Sequence, residues 1–223
     1  MEARYAPQLL VDAKAKVTAA DVVEAVLRGF ERGKKQFGVD VRSILCCMRH
    51  MGKDSATVVD LCCKYKDRGV VGIDLAGDES RTDKDHPDEP AQVDAFRKAF
   101  ENGIHRTVHA AESGPAWNAW EAVEVLKAER IGHCYRCLES ADVYKMIKDK
   151  RVHVEICPIS SLQTGAVRLD DAKGWKSHPL VTFVKDGTNY SINTDDPTVC
   201  GVDLVHEYVG WFFSHLRVLP GCS

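Results

Sequence analysis

The sequence has no long apolar run and little net charge, and each absence excludes a class of protein. No stretch approaches the ~18 apolar residues that a membrane-spanning helix needs, and the first residues lack the basic and apolar segments of a signal peptide. The formal net charge of -3 provides no basic surface for nucleic acid. Aromatic residues are also sparse, at 8% of 223 residues, whereas the apolar share of 44% is ordinary. We therefore expect a globular cytoplasmic protein with no membrane span and no nucleic-acid partner.

Cysteine, by contrast, is frequent, with nine residues. Two pairs are adjacent in the sequence, which is poor geometry for ordinary disulfides, and without a secretion signal we expect reduced thiols. Cys134 and Cys137 form a C-x-x-C, but no second pair of this kind accompanies them, as a zinc ribbon would require. Buried small side chains are the favoured interpretation.

Short apolar runs alternate with longer segments of helical periodicity along the chain. Thr18-Ala-Ala-Asp21, for example, has the composition of a helix start. Strands that alternate with helices imply right-handed crossovers and a parallel sheet. Seven strands are predicted, over Ala3–Ala6, Val41–Cys47, Val70–Leu75, Arg106–His109, Arg130–His133, Val152–Ile156 and Tyr190–Asn193.

This repetition predicts the α/β class. A flavodoxin-like open sheet usually has fewer strands, whereas a parallel (β/α)8 TIM barrel has eight and, at about 250 residues, is typically longer than this chain. No Pro- or Gly-rich linker divides the sequence, and residues 1–208 are interpreted as one barrel domain. Residues 209–223 are interpreted as an atypical tail, with the hypothesis of an aberrant end such as intron read-through; sequencing the transcript across codon 209 tests it.

Histidine and acidic residues follow three of the predicted strands. They are His109, Glu112, His133, Asp195 and Asp196. The carboxyl ends of barrel strands face one side, where active sites are built, so these side chains are expected to converge. Each also has a structural interpretation: a hydrogen-bonded histidine, a carboxylate near a helix start, or a helix cap before proline. Adjacent buried carboxylates nevertheless repel unless a cation offsets them, and histidine with aspartate suits zinc.

Five segments, in a consistent order, resemble the adenosine deaminase family. A sixth, Arg42-Ser-Ile-Leu-Cys-Cys-Met-Arg49, is similar to the vertebrate form. The resemblance runs from about Glu2 to about Tyr208. The five segments are Ile73-Asp-Leu-Ala-Gly-Asp-Glu79, His109-Ala-Ala-Glu112, Gly132-His133, Glu155-Ile-Cys-Pro158 and Ser191-Ile-Asn-Thr-Asp-Asp-Pro197.

The resemblance implies a hydrolase of purine nucleoside salvage that deaminates adenosine and 2'-deoxyadenosine to inosine and 2'-deoxyinosine with a hydroxide activated by zinc. One zinc ion per chain is expected, with His109 and Asp195 as ligands. His133 is expected to orient the hydroxide and accept its proton. Glu112 is expected to protonate the purine at N1, which requires a carboxyl group that its surroundings keep protonated.

Substrate binding is implied for two further residues. Asp196 is expected to bind purine N7, and the backbone amide of Gly77 is expected to reach N3, since glycine lets the backbone approach a ligand closely. The implied ligand is a small purine nucleoside. Family members occur in the cytoplasm and also at the cell surface.

Three departures from the family pattern leave alternatives open. Ala111 replaces a glycine of the H-A-G-E motif and is strained if the position needs a positive φ, and Cys134 replaces the second glycine of G-H-G. The resemblance implies a parallel (β/α)8 TIM barrel of the metal-dependent hydrolase type in which the seven predicted strands are strands two to eight; the first strand, whose His-x-His pair supplies two more zinc ligands, is absent. The alternatives are a catalytically inactive product with at most weak metal or purine binding, and a deaminase of adenine nucleotides, for which the quoted motifs show no phosphate site.

Overall fold

The computed structural model describes residues 1–209, which divide into two compact units. The first comprises Met1–His109 with Glu121–Glu129, and the second comprises Ala110–Trp120 with the chain from Arg130 onward. Within the described residues no helix is both long and apolar enough to cross a membrane. Apart from its first residue, the tail predicted over residues 209–223 lies outside the described part of the chain, and the one-domain interpretation of residues 1–208 stays a prediction.

The first unit contains four parallel strands that pair in chain order. Most residues of the second and third strands are buried. The strands are β1 (Glu2–Tyr5), β2 (Arg42–Met48), β3 (Val70–Ala76) and β4 (His105–Ala110), and the helices between them are α1 (Ala19–Phe37), α2 (Ser55–Tyr65) and α3 (Pro90–Glu101).

Helix α1 begins and ends at the residues that its sequence favours. The Thr18 side chain accepts a hydrogen bond from the Asp21 amide, and the Asp21 carboxylate accepts one from the Thr18 amide, so the two form a capping box. The helix ends at Gly38, which has a φ of 71°, the left-handed conformation typical of a helix C-terminus. The predicted helix start is therefore confirmed.

Helix α4 (Ala116–Glu124) is shorter than the segment 116–128 that its periodicity predicts. The amides of the next two residues both bond to the carbonyl of Glu121, and Lys127 has a φ of 56°. A residue in the left-handed region cannot continue a right-handed helix, which is why the helix ends before the next strand.

The second unit contains three further parallel strands that pair in chain order. Residues 204–209 are also helical. The strands are β5 (Arg130–His133), β6 (His153–Ile156) and β7 (Tyr190–Ile192), and the helices are α5 (Ala141–Asp149), α6 (Pro158–Gln163), α7 (Pro179–Lys185) and α8 (Pro197–Cys200).

All seven predicted strands are confirmed, each to within one residue at either end. The two shortest of the later helices, α6 and α8, are not predicted from the sequence because six and four residues are too few to show a helical period. The eight cysteines of the described residues are all free thiols and six of them are buried, which confirms the interpretation of cysteine as a small buried side chain.

Candidate active site

His109 lies near the carboxyl end of β4, where a buried carboxylate orients its ring. Its Nδ1 lies 2.9 Å from Oδ2 of Asp74, a fully buried residue of β3. Arg4 approaches the same oxygen at 3.6 Å, and the Cys46 thiol donates to it at 3.5 Å. A carboxylate that accepts from Nδ1 selects the tautomer in which Nε2 carries the lone pair, which is the form that binds a metal.

The charge of Asp74 is maintained despite its burial. Burial alone would raise the pKa of Asp74, but the neighbouring His109 and Arg4 outweigh that effect and hold the pKa well below its usual range. Asp74 lies in a segment that resembles the family, but no role for it is predicted from the sequence. A charged residue within an otherwise apolar strand is the signal that could have identified it, because a buried carboxylate requires partners.

A second buried polar cluster holds the backbone of His109. Arg49 pairs with Asp88, and both side chains are at most 4% exposed. Arg49 also donates from Nη2 to the His109 carbonyl at 2.8 Å, while Gln92 donates to the Arg49 carbonyl at 3.0 Å. Glu121 accepts from the Asp88 amide at 3.1 Å, and its pKa is raised to about 7 by burial and by the charge of Asp88.

Gly77 follows β3 in a conformation that glycine favours, with a φ of +104°. A Cβ at this position would lie 3.4 Å from Met48 Cε and 3.5 Å from the Arg49 amide nitrogen. These are ordinary van der Waals distances, so the position suits glycine because of its backbone conformation and not for lack of space. Its contact with purine N3 stays a prediction.

Three of the predicted site residues lie close together in the second unit. His133, at the end of β5, is only 3% exposed. Its Nε2 lies 3.6 Å from Glu112 Oε2 and 3.9 Å from Asp195 Oδ2. An imidazole between two carboxylates is suited to exchanging protons with bound substrate or water.

Several residues at or just after the carboxyl ends of strands have a strained backbone conformation. Among the described residues, seven non-glycine residues have a positive φ, and four of them follow or end strands in this region. Such strain costs ~1–3 kcal/mol per residue, is held in place by surrounding structure, and clusters at active sites. Ala111 therefore occupies the positive-φ position that its family motif indicates. The four residues are Ala111 (56°), His133 (68°), Cys134 (56°) and Asp195 (55°).

Asp195 and Asp196 have different surroundings. The Ser160 hydroxyl donates to Asp195 Oδ2 at 2.6 Å. Asp196 occupies the N-cap of α8, followed by Pro197, as the structural interpretation of this segment expects, but its side chain makes no capping hydrogen bond to that helix. Helix capping therefore does not explain why a carboxylate stands at position 196.

Neighbouring rings form a row that ends at the His133 imidazole. The ring centroids of His133 and Tyr135 are 5.7 Å apart, those of Tyr135 and His178 are 5.6 Å apart, and those of His178 and Trp175 are 5.7 Å apart. The Tyr135 hydroxyl lies 3.0 Å from the carbonyl of Cys157, to which it donates. This ring row, Trp175 to His133, limits the orientations that the His133 imidazole can adopt.

Known proteins resemble the chain over nearly its whole length. The family model for adenosine deaminase matches residues 1–212. The adenosine deaminase of Danio rerio is 47% identical over 218 residues, covering 93% of this chain and 59% of that protein. The structure of adenine deaminase from Arthrobacter aurescens superimposes with a TM-score of 0.79 at 27% identity, covering 97% of this chain and 62% of that chain. An amidohydrolase from Burkholderia ambifaria, solved with bound zinc, gives a TM-score of 0.82 at 24% identity, covering 98% and 58%.

These likenesses confirm the predicted fold class, a parallel β/α barrel of the metal-dependent hydrolase type, to which the described residues contribute seven strands. The chain spans about three fifths of the length of the curated relative, at 59%. The match of the family model and the identity to the relative both extend across the strand-end segments that carry the candidate residues. The chain belongs to the adenosine deaminase family.

Proposed function

We propose that the chain acts in the hydrolytic deamination of adenosine and 2'-deoxyadenosine, giving inosine or 2'-deoxyinosine and ammonia. The observation that carries this proposal is the placement of the His133 imidazole within 3.9 Å of the carboxylates of both Glu112 and Asp195. All three residues stand in segments that resemble the family's motifs. The relative from Danio rerio, at 47% identity, is an adenosine deaminase.

The residues present fit a zinc ion. His109 and Asp195 are assigned as its ligands, since an imidazole nitrogen and a carboxylate oxygen are donors that zinc accepts in catalytic sites, and His133 is assigned to proton transfer instead. Asp74 holds the His109 ring in the tautomer that ligation requires. Zinc held by these residues would lower the pKa of water to about 7 and so supply hydroxide at neutral pH.

The proton transfers are assigned to His133 and Glu112. His133 accepts a proton from the water that attacks purine C6, and Glu112 donates a proton to N1, which makes C6 more electrophilic. The proton on His133 then passes to the 6-amino group, which departs as ammonia, and the remaining hydroxyl proton passes to Glu112 as the C6 carbonyl forms. The 3.6 Å between the two side chains allows both to act on one edge of the purine.

Binding and orientation of the purine are assigned to Asp196 at N7 and to the Gly77 amide at N3. The expected ligand is a free purine nucleoside, in agreement with the name of the relative from Danio rerio. Action on adenine nucleotides is the alternative, and the relative rates with adenosine and AMP distinguish the two. The role in nucleoside salvage and the cytoplasmic location stay predictions.

Purified full-length chain provides the test. Zinc content is measured by mass spectrometry, and adenosine, 2'-deoxyadenosine and AMP are each assayed by the fall in ultraviolet absorbance on deamination. We expect zinc near one ion per chain and turnover of the two nucleosides in preference to AMP. Removal of zinc with a chelator should abolish turnover, and added zinc should restore it.

Matched variants identify the proton donor. Glu112→Gln should lower kcat at least about 100-fold, because general acid–base groups contribute on the order of 10²- to 10⁴-fold. Glu139→Gln is the control, since Glu139 is an exposed carboxylate that pairs with Arg136, three residues away, at 2.8 Å. Equal activity of the two variants, or faster deamination of AMP than of adenosine, contradicts the proposal.

A further inference from the structure

Helix α6 begins immediately after β6 and lacks a local cap. Pro158 occupies the first helical position and has no N–H. Cys157, at the N-cap, makes no side-chain hydrogen bond to the helix, although an N-cap side chain commonly accepts from this turn. The amide of Ile159 therefore needs an acceptor from elsewhere in the chain.

Glu207 supplies this acceptor from 48 residues further along the chain. Its Oε2 accepts from the Ile159 amide at 3.1 Å, and its side chain is fully buried. It lies within the helical residues 204–209, where Asp203 accepts from the His206 amide at 2.9 Å. Burial, opposed by the Ile159 hydrogen bond, raises the pKa of Glu207 to about 7. A buried carboxylate is thus used where a local hydroxyl could cap the helix without this desolvation cost.

The next residue of α6 connects the helix to Asp195. Ser160 is buried, and its hydroxyl donates to Asp195 Oδ2 at 2.6 Å. Asp195 itself has a φ of 55°, a conformation that only surrounding structure can maintain. Consecutive residues of α6 therefore contact Glu207 through a backbone amide and Asp195 through a hydroxyl.

We propose that Glu207 is a positioning residue for Asp195 and acts through the first turn of α6 and the Ser160 hydroxyl. By fixing the Ile159 amide, Glu207 determines where the neighbouring hydroxyl lies, and this hydroxyl orients the Asp195 carboxylate. The inference rests on the proposed role of Asp195 as a metal ligand. Outer partners of metal ligands typically contribute about 10- to 100-fold in metal affinity.

Metal affinity of the full-length chain separates this role from simple helix capping. Zinc affinity is measured by competition with a chelator, and the coordination geometry is followed by the visible spectrum of the cobalt-substituted protein. Glu207→Ala should weaken zinc binding about tenfold and change the cobalt spectrum, whereas Glu207→Gln keeps an acceptor oxygen and should restore both. Ser160→Ala should also weaken zinc binding. The double variant with Glu207→Ala should bind zinc only slightly more weakly than Ser160→Ala alone, because both residues act through one contact.

Ser140→Ala is the matched control. Ser140 caps α5 by accepting from the Val143 amide, and α5 carries none of the proposed site residues. We expect its melting temperature to fall, as that of Glu207→Ala does, while its zinc affinity stays at the wild-type value. The comparison therefore distinguishes lost capping from lost positioning.

The experiment distinguishes failure of this inference from failure of the proposed function. Unchanged zinc affinity in Glu207→Ala, with a lower melting temperature only, overturns the inference and leaves the proposed function standing. If that variant does not fold, Glu207→Asp decides, because it keeps the charge but is one methylene too short to reach Ile159; unchanged affinity there overturns the inference as well. A wild-type chain that binds no zinc overturns the proposed function and, with it, this inference.

Discussion

Replacement of Arg49 by methionine tests how strongly the buried polar cluster stabilises the first unit. Arg49 and Asp88 form an ion pair whose side chains are 4% and 2% exposed. Removal of one partner of such a pair costs about 3–5 kcal/mol, because the other charge is left buried without compensation. The hydrogen bond from Arg49 to the His109 carbonyl is lost as well. We therefore expect the free energy of unfolding to fall by about 4 kcal/mol at pH 8.

The loss should depend on pH. Methionine leaves Asp88 and Glu121 together without a cation, and burial already raises the pKa of Glu121 to about 7. Protonation of Glu121 at lower pH removes part of the buried charge, so the loss at pH 5.5 should be smaller than at pH 8.

Urea denaturation followed by circular dichroism at the two pH values provides the measurement. Arg97→Met is the control, because Arg97 pairs with Asp94 on an exposed helix surface, where an ion pair contributes no more than about 1 kcal/mol. Equal losses in the two variants, or an Arg49→Met loss that is the same at both pH values, would refute the reasoning.

Three further predictions concern single side chains. Glu121→Gln removes a group whose raised pKa makes the wild type lose stability as pH rises from about 4.5 to about 7. In denaturation experiments across that window, the free energy of unfolding of the variant should therefore rise relative to that of the wild type, by at most about 3 kcal/mol. Parallel pH profiles of the two proteins would contradict this. Asp74→Asn should weaken zinc binding about 10- to 100-fold in chelator competition, because an amide selects the His109 tautomer less strongly; wild-type affinity would exclude the orienting role. Thr18→Ala should lower the free energy of unfolding by about 1 kcal/mol through loss of the capping box with Asp21, and an unchanged denaturation midpoint would show that this cap does not stabilise the fold.

Local features of the fold were predictable because they depend on neighbouring residues. The helix start at Thr18 and all seven strands follow from capping chemistry and apolar runs. The end of α4 was not predictable, because it depends on the left-handed conformation of Lys127, and lysine has no special preference for that conformation. Helix α6 was also missed, since its few residues show no period.

The candidate site likewise contains residues that the sequence indicates and residues that it does not. His133, Glu112 and Asp195 each follow a strand, and the parallel arrangement alone suggests that such residues converge; the structure brings these three together. Ser160 and Glu207 were not identified, because their contacts join residues 35 and 48 positions apart. No pattern in a single sequence indicates hydrogen bonds between such distant residues.

The ring row from Trp175 to His133 connects an intrinsic fluorophore, the Trp175 indole, to the candidate site. The Trp175 indole lies 5.7 Å from the His178 ring, with only Tyr135 between that ring and the His133 imidazole. Indole emission responds to the polarity and contacts of neighbouring rings, so a ligand that moves His133 should alter the Trp175 signal through Tyr135 and His178. Because the chain has four tryptophans, a variant in which the other three are replaced by phenylalanine would let fluorescence follow occupancy of this site without a label and without turnover.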